Sequence, residues 1–132
     1  YRLKENVTSI TDGIVRVKQL KPSRFNFIAD KDTTLDGFLA HETQTVVPEA
    51  VSATKDATRD IGTIKDADGN VIDTNVEESV KEDGQTWEKT ATENVYQGID
   101  QAKLVPLLTA ALQEAITKIE TLETKVTALE SK

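Results

Sequence analysis

Apolar residues recur at steps of 3, 4, 3, 4, 3, 4 and 3 along Val105, Leu108, Leu112, Ala115, Ile119, Leu122, Val126 and Leu129. This is the heptad seam of a coiled coil, narrower than the apolar stripe of a globular surface helix. The spacing predicts a helix over residues 105 to 132 that buries its seam against another helix. If Val105, Leu112, Ile119 and Val126 occupy a, then Leu108, Ala115, Leu122 and Leu129 occupy d. The g positions then include Lys118, Lys125 and Lys132, and the e positions include Glu123 and Glu130. In a parallel assembly each g faces the following e of a neighbour, which sets Lys118 opposite Glu123 and Lys125 opposite Glu130 of the next copy. An antiparallel assembly would bring like charges together, so parallel self-association is expected. β-branched residues at a with Leu at d favour two strands, whereas Ala115 at d and Ile116 at e widen the apolar face. The alternative is one helix lying on its own domain, for which the chain supplies few other apolar segments.

Upstream the periods change. Ile14, Val17 and Leu20 follow helical spacing after Thr11 or Asp12 as N-cap, and Lys21-Pro22 ends that helix. Phe25 and Phe27 alternate with Arg24 and Asn26, which predicts a half-buried strand ending in a polar turn over residues 30–34. Gly37-Phe38-Leu39-Ala40 leads into a helix through Val46-Val47, closed by Pro48. Residues 52–95 are rich in Thr, Asp, Glu and Lys, with Ile61, Ile64, Val71 and Ile72 as isolated apolar points; they predict a hairpin with its tip at residues 66–70, projecting from the body. Asp100 is the N-cap candidate for the terminal helix, and Pro106 marks either a bend or a later start. The expected architecture is a single α+β domain over residues 1–132. A small helix and strand body (1–51) carries a protruding acidic arm (52–95), and residues 96–132 hold the coiled-coil helix.

Composition narrows the functional classes. The chain of 132 residues is 37% hydrophobic and 30% charged, with one Trp, two Tyr and three Phe, which is little apolar content for a self-sufficient monomer. Oligomerisation would repair that shortage. A formal charge of -7 argues against nucleic acid and anionic membranes as partners, since both call for clustered Lys and Arg. Cys is absent, which excludes disulfides and thiolate metal sites. No apolar run approaches the roughly 18 residues of a membrane span, and no signal peptide is visible. Met is also absent, and the chain is expected to be a piece of a longer polypeptide.

Motifs for common chemistries are missing or incomplete. Residues 66–70 suggest a calcium loop, but Gly69 stands fourth where an EF-hand needs Gly sixth, so a turn is expected instead. His41-Glu42 lacks the second His of a zinc protease. Neither a phosphate loop nor a nucleophile elbow is present, and no cofactor or metal is expected.

Three stretches together carry a resemblance. Tyr1-Arg2-Leu3-Lys4-Glu5-Asn6-Val7 resembles the end of a Ser-Asp-x-Arg-Leu-Lys-x-Asn-Ile signature. Residues 20–27 resemble its Leu-x-Pro strand, and residues 37–44 with 47–51 resemble its Gly-Phe-x-Ala-x-Glu and Pro-x-x-Val elements. These mark the intramolecular chaperone domain at the C-terminus of endosialidase-type phage tailspikes and tail fibres. Leu104-Val105-Pro106-Leu107-Leu108 followed by a coiled coil is similar to the end of that domain. The resemblance implies a homotrimer that brings three copies of an upstream fibre shaft into register, working in the host cytoplasm during virion assembly. It implies release from the mature fibre by autoproteolysis at a Ser just upstream of residue 1, with Lys4 as the matching lysine of a Ser-Lys pair. The fragment without that Ser would be inactive. A retained structural or receptor-binding trimeric tip is the competing reading, and a non-viral coiled-coil scaffold is a third that explains the seam but not the motifs.

Overall fold

The computed structural model describes residues 2–132. Among them the chain divides into two compact units, one formed by residues 2–51 with 99–132 and the other by residues 52–98. The first has a small core with three α-helices and a two-stranded hairpin; the second is a three-stranded antiparallel sheet.

In the first unit, α1 (Gly13–Val17) follows Asp12 at the N-cap position, one of the two expected there. Its Arg16 reaches the carbonyl oxygen of Val46 with Nη2 at 2.9 Å and so satisfies a backbone acceptor just past the next helix. Strand β1 (Ser23–Phe27) pairs with β2 (Asp30–Gly37), in a register that sets Phe25 opposite Leu35. The polar run 30–34, expected as a turn, is therefore strand, and only Ile28 and Ala29 make the reversal. The run is polar because β2 is solvent-exposed on both faces up to Asp36, so alternation never marks it as a strand. Asn26 ties the reversal down by donating to the Lys31 carbonyl at 2.9 Å and to Thr34 Oγ1 at 3.1 Å. Phe25 is half-buried as expected, whereas Phe27 is exposed and stacks edge-on against Phe25 at 5.4 Å between centroids.

Helix α2 (Ala40–Gln44) stops short of Val46-Val47, which instead turn inward with a 3₁₀ turn at Pro48–Ala50 after them. That turn places Val46, Val47 and Ala50 in the core beside Leu104 and Leu107, with Val17, Leu20 and Phe38 packed around them. Each fully buried Val or Leu here contributes about 1.5–3 kcal/mol. Asp100 caps as expected, accepting from the Ala102 N–H at 3.2 Å, but it caps a 3₁₀ turn at Gln101–Leu104. The long helix α3 (Val105–Glu130) begins after it, with Pro106 in the first turn, where its missing N–H costs nothing.

Two-residue strands β3 (Val51–Ser52) and β7 (Gly98–Ile99) pair with each other where the chain leaves and re-enters the first unit. In the second unit, β4 (Thr58–Lys65) lies between β5 (Val71–Val76) and β6 (Thr86–Asn94). The hairpin of β4 and β5 has its tip at residues 66–70, as the turn residues predict. The expected arm lacked β6, whose Trp87 gives this small sheet a core of its own. Ile61 and Ile64 are buried, and the Trp87 indole N–H donates to the Val76 carbonyl at 2.9 Å. Gly62 is required beneath that ring, since a Cβ there would lie 2.5 Å from Trp87 Cε2.

Candidate functional site

Helix α3 and the turn that leads into it carry two different stripes. Leu104, Leu107 and Ala111 are buried in the first unit, and Glu114 turns back to accept from the Ile14 N–H at 3.1 Å. The seam residues Val105, Leu108, Leu112, Ile119, Leu122, Val126 and Leu129 are 45 to 66% exposed, and Ala115 is half-buried. At about 100° per residue the two stripes are centred roughly 70–80° apart, a little under a quarter-turn. The helix therefore does lie on its own unit, the alternative set against a free seam, but through another face that leaves the seam open.

Beyond Ala115 every residue of α3 is exposed. This stretch of about 15 residues has nothing packed on it, a length at which an isolated helix is marginal in water. Its charges match the interchain pattern. Among the described residues Glu123, Lys125 and Glu130 have no ion pair within the chain, and Lys118 bridges only to Glu114, at 3.5 Å. A shallow depression along the seam is lined by Ile119, Leu122 and Val126.

Residues 2–12 contain neither helix nor strand and are exposed throughout. Leu3 is 100% and Val7 82% exposed, so the apolar side chains of the Arg-Leu-Lys stretch have no cover within the chain. Lys4 is exposed among them, and Asn6 adopts a left-handed backbone with φ 53°. His41 is half-buried in the first turn of α2.

Three carboxylates elsewhere have structural roles. Asp66 organises the tip of the β4–β5 hairpin, accepting from the N–H groups of Asp68 and Asn70 at 2.9 and 2.8 Å and from the Asn70 side chain. Those bonds, led by the Asn70 side chain, hold its carboxyl below the usual range. Gly69 supplies the positive φ of 87°. Asp60 is lowered by Lys89 and then Thr92, and Asp36 by a two-pronged contact with Arg24 at 2.7 and 3.0 Å. No group of three or more His, Cys, Asp or Glu suited to a metal occurs among the described residues.

Residues 1–52 match the family model Peptidase S74, chaperone of endosialidase. The resemblance read in residues 1–51 is thus found over the same stretch, while the end of the chain, residues 95–132, lies outside the match. The matched stretch holds Lys4, α1, the β1–β2 hairpin and α2. No curated protein matches the chain. The buried stripe of α3 escaped sequence reasoning because Leu104, Leu107 and Ala111 interleave with the stronger seam. Their own spacing of 3 and 4 was the available signal.

Proposed function

We propose that the chain is the intramolecular chaperone of a phage tail fibre or tailspike, assembling as a parallel homotrimer through α3 and aligning three copies of the shaft upstream. The observation that carries this is the open seam of α3 on a unit whose residues 1–52 match the chaperone of endosialidase. Pairing three strands over long sequence separations is slow and exposes aggregation-prone edges. Clamping the three C-termini first raises the effective concentration of the strands for one another and sets their register.

Release follows by autoproteolysis at a Ser just upstream. Lys4, once neutral, takes the proton of the Ser hydroxyl, and the oxygen attacks the peptide carbonyl. The departing amine is protonated, and water hydrolyses the resulting ester. A Lys holds its proton at neutral pH unless burial or a nearby cation lowers its pKa from about 10.4. Lys4, Leu3 and Val7 are exposed in the single chain, which supports a reading in which that burial comes only with assembly.

Intact-mass analysis of a longer chain extending through the upstream Ser tests this reading. The wild type yields a discrete C-terminal fragment, and variants with Ser→Ala or Lys4→Ala stay whole. If the wild type also stays whole while still self-associating, the domain is a retained trimeric tip. The self-contained core of residues 52–98 would then be the part presented to a receptor.

A further inference from the structure

The heptad register that pairs Lys118 with Glu123 and Lys125 with Glu130 of the next copy has an earlier member. Counting five residues on from each g position, Ala111 meets Ile116 of the neighbouring copy. Ala111 is the residue on which α1 docks, its backbone so close to Gly13 that a Cβ there would lie 2.6 Å away. Ile116 is 45% exposed and stands at e, on the flank of the seam rather than within it.

We propose that Ile116 of one copy docks beside the Gly13–Ala111 contact of the next, so that α1 is part of the oligomer interface. This rests on the parallel self-association proposed above. Three observations support it. The ionic members of the same series fix direction and offset, and among the described residues Glu123, Lys125 and Glu130 are unpaired within the chain. The site is continuous with the open seam, since Leu108 and Leu112 flank Ala111 in sequence and are exposed. Ala111 lies on the g side of α3, the side from which a neighbour's e residue arrives, and α1 rests against that same side. The g-to-e' series then reads as one apolar pair followed by two ionic ones. Its apolar member joins the seam to the part of the chain that matches the chaperone family, so that assembly and the docking of α1 reinforce one another.

The chain has no native Cys, which allows a direct test. The double variant Ala111→Cys/Ile116→Cys is oxidised mildly at concentrations where the wild type associates, beside Val126→Cys as a control for parallel seam contact. Within one helix these two positions face different directions and cannot bridge. Interchain-linked dimers and trimers of the double variant are expected. Linking of Val126→Cys without linking of the double variant overturns the docking of Ile116 and leaves the seam intact. No linking of either, in a chain that sediments as a monomer, overturns the self-association reading itself. Should Ala111→Cys disturb folding, Ile116→Cys alone is treated with a maleimide. Its reaction is expected to slow about tenfold or more on association relative to Thr117→Cys, as for a site accessible only through opening. Equal rates overturn the proposal.

Discussion

A Cβ placed on Gly13 would stand 2.6 Å from the backbone nitrogen of Ala111 and 2.9 Å from its Cα. The obstacle is backbone on both counts, so no side chain can swing aside to make room. Gly13→Ala is therefore expected to push α1 off α3 and to cost about 1–3 kcal/mol, typical of an overpacked contact. Denaturant unfolding followed by helical circular dichroism checks this. An unchanged midpoint would mean that the two helices do not meet so closely.

The open seam should be separable from the fold of the first unit. Leu122→Ser and Ile119→Ser remove apolar side chains that are more than half exposed in the single chain. They are expected to abolish self-association in sedimentation equilibrium, each forfeiting about 1.5–3 kcal/mol of burial per copy. The core of Val46, Val47, Ala50, Leu104 and Leu107 should stay protected from hydrogen exchange in both variants.

Charge reversal probes the direction of the helices. Lys125→Glu sets like charges at the parallel g and e' positions and is expected to weaken association by about 0.2–1 kcal/mol per pair. Lys125→Glu/Glu130→Lys restores the pairing and the affinity, whereas an antiparallel assembly would show no such rescue.

Gly62 and Trp87 form the corresponding close contact of the three-stranded sheet. Gly62→Ala would bring its Cβ within 2.5 Å of the indole and against the Glu88 carbonyl. The ring must leave Val76, whose carbonyl it now bonds, so loss of sheet stability and a red shift of the single Trp emission are expected.

The acid sensitivity of that sheet follows from Asp66 and Asp60, whose carboxyls sit lower folded than unfolded. Stability from such groups is complete above the unfolded value of about 3.9 and is lost as pH falls through the folded value. The amides of Asp68 and Asn70 should therefore lose exchange protection only below about pH 4. Asp66→Ala should lower their protection at neutral pH and remove most of its further dependence on acid.

The chain announces in sequence whatever is governed by local chemistry or by a long strict period. The seam from Val105 to Leu129, the Asp100 cap and the Asp66–Asn70 turn are each legible because the residues that make them are neighbours along the chain or along one helix. The motif stretch around Lys4 is legible in the same way, as a run of residue types.

Only tertiary structure could decide the rest. Strand β2 has no alternation to read because solvent lies on both of its faces, and its strand character comes from pairing with β1. The sheet of residues 52–98 depends on Trp87 lying over Gly62, two positions 25 residues apart with no common period. Val46 and Val47 look like the end of a helix until the core calls them inward. The division of α3 into a buried stripe and an open seam was likewise hidden. Both stripes satisfy helical spacing, and the core around Val46 and Val47 together with Gly13 on α1, nearly a hundred residues from Ala111, selects which of them this chain covers for itself.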